Sequence, residues 1–448
     1  MCGIVGVLGQ HEVAPILVEA LKRLEYRGYD SAGIATIHEG QLDRRRAVGK
    51  LVNLSDLLVH EPLAGKSGIG HTRWATHGAP SVVNAHPHLA GPVAVVHNGI
   101  IENFRELRAE LSAKGVKFVS ETDTETVALL TQQHMNEGLG PIDAATKTIK
   151  RLHGAFALAL LFDGESDLMI GARKGAPLAV GYGDNEMFLG SDAIALSPMT
   201  DRLTYLEEGD MAVLRRASVE IYDTHGQLAN RAIRTISLDN TRVNKDGHKH
   251  FMAKEIAEQP SVIGAALSQY LTADGQIVLP DPGLDFTAID RITMVACGTA
   301  FYACLTAKYW FEQIARLPVE VDVASEFRYR EPPISDRTMA LFVSQSGETA
   351  DTLAALRYCA GKADTITSVV NVTESSIARE SNLALPIYAG VEVGVASTKA
   401  FTCQLTVLFL LVLKAAVDRG AINQEQLADH ISGLRSIPSL INVALEQN

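Results

Sequence analysis

The residues MCGIVGVLGQ (1–10) decide how the first half of the chain is interpreted. Cys2 directly follows the initiator methionine and precedes an apolar run that is typical of a β-strand. From its position alone, Cys2 can be a buried strand residue or a reactive terminus. Because Cys2 is small, removal of Met1 is expected, and it would leave a thiol and an α-amine on one residue. These groups ionise near pH ~8.5 and ~8, so Cys2 would carry both a nucleophile and its own general base.

The composition indicates a soluble chain of two or three domains. Its 448 residues can bury several cores, and a formal net charge of −12 argues against a nucleic-acid-binding body. The five cysteines are scattered, without a CxxC pair, and the first residues lack a signal peptide. We therefore expect a reducing, cytoplasmic location. The most apolar stretch, Leu405–Val417, is too short to span a bilayer and predicts a buried core helix.

The hydrophobic pattern changes between the two halves. Up to about Arg234, short β-type runs are separated by Gly and Asn, with two helices near 103–115 and 124–138. This pattern predicts an α+β domain with mainly antiparallel strands. The polar segment 239–259 predicts a linker that leads into a helix. After Ile289, apolar strands alternate with helices, which predicts an α/β domain with a doubly wound parallel sheet.

Polar residues cluster at the ends of several predicted strands in the first half. The stretch HTRWATHG carries Arg73, Thr76 and His77, VHNGIIEN carries Asn98–Gly99, and SETDTE carries Asp123. Each has an ordinary alternative: a surface charge, a tight turn or a helix cap. Together, however, they supply the groups needed to bind an amino acid and to cleave its side-chain amide. These parts are an arginine fork for a carboxylate, a carboxylate for an ammonium group, and amide donors for an oxyanion.

These stretches, with CGIVG, RLEYRGYDSAG and NAHPH, resemble the glutaminase domain of the N-terminal-cysteine (class II) glutamine amidotransferases. The resemblance is closest to the glutamine–fructose-6-phosphate aminotransferase (glucosamine-6-phosphate synthase) family. It implies a four-layer αββα N-terminal-nucleophile fold over residues 2–238. It further implies that Arg27 orders the terminal cysteine and that Trp74 covers the path of the departing ammonia. The implied catalytic residues are Cys2, Asn98, Gly99 and Arg27, and the implied glutamine contacts are Arg73, Trp74, Thr76, His77, Gly99 and Asp123.

In the second half, SQSGET (344–349) follows the apolar strand MALFV and precedes a helix. Hydroxyl groups at a helix N-terminus favour an anion, although a serine-rich cap is the open alternative. The chain contains neither Gly-x-Gly-x-x-Gly nor Gly-Lys-Ser/Thr at this position, so a dinucleotide or a nucleoside triphosphate is not indicated. A phosphate monoester fits better, and we expect no cofactor.

This stretch, with ACGTA, ASEFRYR and GVASTKAF, resembles the sugar isomerase (SIS) domain of the same family, expected at 283–425. The resemblance implies that the phosphate of fructose 6-phosphate binds Ser344, Gln345, Ser346 and Thr349. It places Thr299, Val395 and Ser397 beside the sugar. Where the family usually has serine, this chain has Ala300, so one hydroxyl contact is expected to be lost.

The resemblance also implies a reaction and an organisation. The family hydrolyses glutamine and passes ammonia to fructose 6-phosphate, which gives glucosamine 6-phosphate, and its members are expected to be homodimers. We expect a linker and leading helix at 239–282 and the helical start of a second SIS domain at 426–448. Because the family's second SIS domain supplies the isomerisation base and a Schiff-base lysine, we expect a truncated chain. Such a chain would retain glutaminase activity and partial sugar-phosphate binding.

Other functions are alternatives to this one. Asparagine-forming relatives need a Ser-Gly-Gly-x-Asp loop and purine-pathway relatives a pyrophosphoryl-ribose loop, and the sequence has neither. From another class, a non-catalytic phosphosugar-binding or regulatory protein stays open, because of Ala300 and the expected missing domain. The histidine pairs His86/His88 and His248/His250 have no accompanying ligands at metal-binding spacing, so we expect them to be structural, with no metal site.

Overall fold

The computed structural model describes residues 2–25, 28–75, 77–235, 245–280 and 284–447. The chain divides into two compact units, residues 1–241 and 242–448. Each unit has its own sheets and its own core.

The first unit contains both strands and helices. The strands are β1 (Gly3–Leu8), β2 (Ser31–His38), β3 (Gln41–Val48), β4 (Ser67–Arg73), β5 (His88–Ala90), β6 (Val93–Ile101), β7 (Gly154–Phe162), β8 (Met169–Lys174), β9 (Ala179–Tyr182), β10 (Met187–Gly190), β11 (Arg202–Tyr205), β12 (Met211–Arg215), β13 (Ser218–Tyr222) and β14 (Arg234–Thr235). The helices are α1 (Ala14–Lys22), α2 (Leu51–His60), α3 (Phe104–Ala113), α4 (Thr124–Asn136), α5 (Pro141–Arg151) and α6 (Ala193–Leu196).

The strands form two antiparallel sheets, one with the order β14-β11-β9-β10-β1-β4-β2-β3 and the other with the order β13-β12-β8-β7-β6-β5. One core lies between the sheets and contains Ile4 and Val96. Helices α1 and α2 cover the outer face of the first sheet, where Val5 is buried, and α3–α5 cover the second. This arrangement is the predicted four-layer αββα fold. Because β1 is buried on both faces, its sequence GIVGVL is apolar throughout rather than alternating.

Two local predictions for this unit were wrong. The sequence predicted two helices, whereas α1, α2, α5 and the short α6 are also present. Helix α1 is a short apolar segment that periodicity does not distinguish from a strand. From the sequence alone, the basic run Arg44–Arg46 in polar, strand-like sequence predicts a solvated face. Instead, Arg44 and Arg46 are half-buried in β3 and donate to the carbonyl groups of Pro87 and Ala85, at 2.9 and 2.8 Å.

The second unit has one parallel sheet. Its strands are β15 (Arg291–Ala296), β16 (Val319–Val323), β17 (Thr338–Ser344), β18 (Thr365–Val370) and β19 (Leu383–Pro386), in the order β16-β15-β17-β18-β19. Its helices are α7 (Phe251–Tyr270), α8 (Gly298–Trp310), α9 (Ala324–Arg330), α10 (Ala350–Cys359), α11 (Ser376–Glu380), α12 (Lys399–Asp418) and α13 (Gln424–Glu446), and a π-helical turn (Phe311–Ala315) extends α8. Helices α7, α8 and α12 pack on one face of the sheet and α9–α11 on the other, which confirms the doubly wound α/β fold.

Helix α12 contains the apolar stretch that was predicted to be a core helix. It is longer than predicted and, within the described residues, is the one helix long and apolar enough to cross a membrane. About two thirds of its most apolar window, 67%, is buried inside the unit, which is typical of the core helix of a soluble domain.

Candidate active site

The register of β1 places Cys2 beside the end of β4. The two strands are antiparallel with Gly3 opposite Thr72, so Cys2 lies next to the Arg73–Trp74 segment. The backbone N–H of Trp74 donates to Cys2 Sγ at 3.2 Å. Burial raises the pKa of the Cys2 thiol, while the Trp74 N–H group and the charge of Arg73 act in the opposite direction by favouring the thiolate.

Asn98 and Gly99 approach Cys2 from the second sheet, near the end of β6. The side-chain Nδ2 of Asn98 donates to the Cys2 carbonyl oxygen at 3.0 Å, and Asn98 is only 7% exposed. Gly99 has φ +114°, and a Cβ atom there would lie 2.0 Å from the Ala155 carbonyl oxygen. Only glycine fits this backbone. An amide N–H donor and an accessible glycine backbone therefore lie together next to the thiol, as an oxyanion hole requires.

A buried cation and a buried anion line the same cavity. Arg73 donates through Nη2 to the carbonyl groups of His77 and Gly78, whereas its Nη1 has no hydrogen-bond partner among the described residues and lies 3.9 Å from Asp30 Oδ1. Asp123 precedes α4 but does not cap it; its Oδ2 accepts the Ile101 N–H at 2.8 Å. Arg73 and Asp123 are 3% and 4% exposed, so a zwitterionic ligand would satisfy charges that water reaches poorly.

The cavity is small. Its lining consists of Cys2, Arg73, Trp74, His77, His86, His97, Gly99, Thr122, Asp123 and Thr124. Trp74 is 43% exposed and its ring meets Tyr29 edge-on at 5.4 Å, while the His77 ring meets Phe104 at 5.1 Å. The predicted site residues Arg27 and Thr76 lie outside the described residues.

A layer of buried histidines underlies this cavity, and the sequence did not predict it. The rings of His71 and His86 stack at 4.2 Å, and His88 meets His86 edge-on at 4.9 Å. The Thr124 hydroxyl lies 2.8 Å from His86 Nε2 and 2.9 Å from His97 Nδ1. Burial lowers the pKa of all four histidines, that of His71 to about 3, so they are neutral at pH 7.

In the second unit, the predicted phosphate-binding loop connects β17 to α10. Ser344 Oγ lies 3.0 Å from Thr349 Oγ1 and accepts the Gly347 N–H at 3.0 Å, while Ser346 Oγ accepts the Glu348 N–H at 3.2 Å. Thr349 occupies the N-cap position of α10 but makes no side-chain cap bond. The hydroxyl groups and the first N–H groups of the helix are thus arranged around one turn, as in anion-binding helix N-termini.

The other residues predicted to contact the sugar lie on neighbouring loops. Thr299 is exposed in the first turn of α8, and β15 runs parallel to β17, so both loops lie at the same edge of the sheet. Val395, 73% exposed, and Ser397 lie between β19 and α12; the Ser397 hydroxyl donates to Glu392 at 2.9 Å. Ala300 is buried in the core, at 7% exposure.

Two residues that the sequence did not single out hold these loops. Asn371 donates its N–H to the Gln345 carbonyl at 3.1 Å and its side-chain Nδ2 to the Gly390 carbonyl at 2.6 Å. Glu255 of α7, 2% exposed, accepts the N–H groups of Val393 and Gly394 at 2.5 and 3.0 Å. Both connections join residues that are distant in sequence.

Comparison with known proteins agrees with the predicted family. A glutamine amidotransferase domain model matches residues 79–198, and a SIS domain model matches residues 285–414. The glutamine–fructose-6-phosphate aminotransferase [isomerizing] of Brucella abortus biovar 1 (strain 9-941) is 58% identical over 447 residues, which are 100% of this chain and 74% of the relative. The chain belongs to this family.

A second relative matches with the same coverage, and a solved structure matches over part of the chain. The family member of Zymomonas mobilis subsp. mobilis (strain ATCC 31821 / ZM4 / CP4) is 54% identical over 449 residues, again 100% of this chain and 74% of the relative. A solved structure of the C-terminal domain of glucosamine-fructose-6-phosphate aminotransferase from Francisella tularensis is 41% identical, covers 45% of this chain and 58% of that chain, and has a TM-score of 0.44.

Proposed function

We propose that this protein is a glutamine-dependent amidotransferase that hydrolyses glutamine at Cys2 and supplies ammonia to fructose 6-phosphate, which yields glucosamine 6-phosphate. The observation that carries the proposal is the position of Cys2. Its thiol accepts the Trp74 N–H, its carbonyl accepts the Asn98 amide, and the cavity beside it is lined by Arg73 and Asp123.

The first half-reaction forms a thioester. After removal of Met1, the α-amine of Cys2 takes the thiol proton, and Sγ attacks the side-chain amide carbon of glutamine. The Asn98 amide and the Gly99 N–H stabilise the negative carbonyl oxygen of the tetrahedral intermediate. When this intermediate collapses, the C–N bond breaks, the protonated amine gives its proton to the leaving nitrogen, and ammonia departs.

The second half-reaction regenerates the thiol. Water attacks the γ-glutamyl thioester while the α-amine takes one of its protons, and the same donors stabilise the second oxyanion. Breakage of the C–S bond releases glutamate, and the amine returns its proton to the sulfur. Throughout, Cys2 provides both nucleophile and base.

The charged residues select the substrate. The Nη1 of Arg73, which has no hydrogen-bond partner in the part of the chain that the structure describes, is suited to the α-carboxylate of glutamine, and Asp123 is suited to the α-ammonium group. We assign further glutamine contacts to Thr76 and His77, the ordering of the terminal cysteine to Arg27, and cover of the ammonia path to the exposed Trp74.

The second unit binds the acceptor. Ser344, Gln345, Ser346 and Thr349 hold the sugar phosphate at the N-terminus of α10, supported by the hydroxyl geometry of this loop. Thr299, Val395 and Ser397 border the sugar. We further propose a cytoplasmic homodimer, with the glutaminase domain at 2–238 and the SIS domain at 283–425.

The proposal is tested by glutamate release from glutamine, with and without fructose 6-phosphate, using Cys2→Ala as the control. We expect release that depends on Cys2 and rises with the sugar phosphate. A folded protein with Met1 removed that releases no glutamate would contradict the glutaminase assignment. Calorimetric titration tests the second site separately, and an absence of binding at millimolar fructose 6-phosphate would contradict the SIS assignment.

A further inference from the structure

One histidine of the buried layer contacts the oxyanion donor itself. His71 Nε2 lies 2.9 Å from the His97 carbonyl oxygen and 3.0 Å from Asn98 Oδ1. His71 is fully buried, on the middle of β4, and has no described contact with Cys2. Its influence on the thiol site therefore passes through Asn98.

The two contacts determine the tautomer of His71. Both partners of Nε2 are oxygen acceptors, so Nε2 carries the proton. The other ring nitrogen, Nδ1, has no hydrogen-bond partner among the described residues. The ring is therefore a neutral imidazole that presents a fixed N–H donor to Asn98 Oδ1.

This donor fixes the direction of the Asn98 amide. With Oδ1 bound to His71, Nδ2 points to the Cys2 carbonyl oxygen at 3.0 Å. If the amide were reversed, Nδ2 would face the His71 N–H and Oδ1 would face the carbonyl oxygen of Cys2, so both contacts would be repulsive. An oxyanion hole needs its donors in place before charge develops, and a side-chain amide can rotate unless something holds it.

We infer that His71 is a positioning residue for glutamine hydrolysis, which holds the Asn98 amide with its Nδ2 donor facing Cys2. This inference rests on the proposed role of Cys2. The chemistry of His71 in the cycle is the donation of one hydrogen bond, and no proton is transferred to or from the substrate through its ring.

The matched variants His71→Gln and His71→Asn test the inference. The glutamine side chain carries an N–H donor about as far from the backbone as histidine Nε2, whereas asparagine ends near the position of Nδ1 and does not reach Asn98. We expect His71→Asn to lower kcat for glutamate release by about 10- to 100-fold with KM changed less than about 3-fold, because the lost interaction acts in the transition state. We expect His71→Gln to restore most of kcat.

A double-mutant cycle with Asn98→Ala separates positioning from general damage. If His71 acts through Asn98, His71→Asn should have almost no further effect on kcat in the Asn98→Ala background. An equal loss in both backgrounds would overturn the inference. As a control, His88→Gln alters the same buried layer at a residue bonded to Thr122, and should change kcat less than about 3-fold.

Two further measurements keep the test independent of folding. Alkylation of Cys2 by iodoacetamide needs the thiol but no oxyanion hole, so its rate in His71→Asn should equal that of the parent chain; a parallel loss would overturn the inference. If His71→Asn does not fold, selective ¹⁵N-histidine spectra of the parent should show His71 as the neutral Nε2–H tautomer at pH 7, and the other tautomer would contradict the inference. A parent chain that releases no glutamate refutes the proposed function instead.

Discussion

The two proposed sites differ in how their polar groups are held. In the first unit, the functional side chains lie at strand ends and at the start of α4, and Arg73, Asn98 and Asp123 are each less than 10% exposed. In the second unit, they lie on loops at the edge of a parallel sheet, and Val395 is 73% exposed. A buried site is positioned by fixed hydrogen bonds, so single changes should have large effects. An open site distributes its contacts over loops, so single changes should have smaller ones.

The largest effect is expected from Asn98→Ala at the buried site. Removal of one oxyanion donor should lower kcat for glutamate release by about 100- to 1,000-fold with little change in KM. Steady-state kinetics with glutamine alone measure it. A decrease in kcat of less than 10-fold would contradict the assignment of Asn98 to the oxyanion hole.

The next effect concerns recognition of the α-ammonium group. Asp123→Asn keeps the shape of the side chain but removes a buried charge, and should raise KM for glutamine by about 30-fold or more, from the ~2–3 kcal/mol typical of a charged hydrogen bond. Asp143→Asn, at the exposed start of α5, is the matched control and should leave KM unchanged. Equal KM values for the two variants would contradict the assignment of Asp123.

The buried histidines predict that acid destabilises the first unit. Because their pKa values are lowered in the folded chain, the unfolded chain takes up protons below its histidine pKa of about 6.5 while the folded chain does not. The free energy of unfolding should therefore fall as pH decreases from 6.5, by about 1.4 kcal/mol per pH unit for each histidine.

Urea unfolding measures this slope. The two tryptophans are Trp74 in the first unit and Trp310 in the second, so in a Trp310→Phe background Trp74 fluorescence follows the first unit. His88→Gln should reduce the pH dependence of the free energy of unfolding by the contribution of one histidine. Equal free energies of unfolding at pH 7 and pH 5.5 would show that the buried histidines take up protons in the folded chain, which would contradict their lowered pKa values.

The smallest effect is expected at the open site. Glu255→Gln keeps one acceptor oxygen but removes the negative charge and replaces the second oxygen, which also accepts the Gly394 N–H, with an N–H donor. This change should loosen the loop that carries Val395. We expect fructose 6-phosphate to bind about 5- to 10-fold more weakly, equivalent to roughly one lost hydrogen bond. Basal glutamate release should be unchanged.

Calorimetry measures this affinity, with Glu312→Gln, on the half-exposed surface of the π-helical turn, as the matched control. If Glu255→Gln binds the sugar phosphate as tightly as the control does, the loop does not depend on Glu255.

Local periodicity predicted the α+β class of the first unit, the doubly wound α/β class of the second and the strand ends where polar residues gather. The four-layer αββα order was implied by the family resemblance. Periodicity missed the residues that hold the sites. In the sequence, His71 is a polar residue that interrupts the apolar pattern of a buried strand. Its partner Asn98 is 27 residues away. Glu255 reads as part of a polar helix, although it binds a loop 138 residues further along the chain. Such connections follow from how sheets and helices pack, which periodicity does not report.

The chain spans 74% of the length of the Brucella abortus relative. Helix α13 begins at Gln424, close to the predicted helical segment 426–448, with Asn423 and Gln426 forming a capping box. Its apolar residues, including Ile431, pack on the core of the second unit.

The central claim is that Cys2, freed from Met1, is the nucleophile. Intact-protein and peptide mass spectrometry after treatment with 6-diazo-5-oxo-L-norleucine, a reactive glutamine analogue, tests it most directly. The account predicts a chain that begins at Cys2 and carries one adduct, on Cys2, with excess glutamine protecting it. Glutamate release by a chain that retains Met1, or an adduct on another residue while Cys2 stays free, would contradict it.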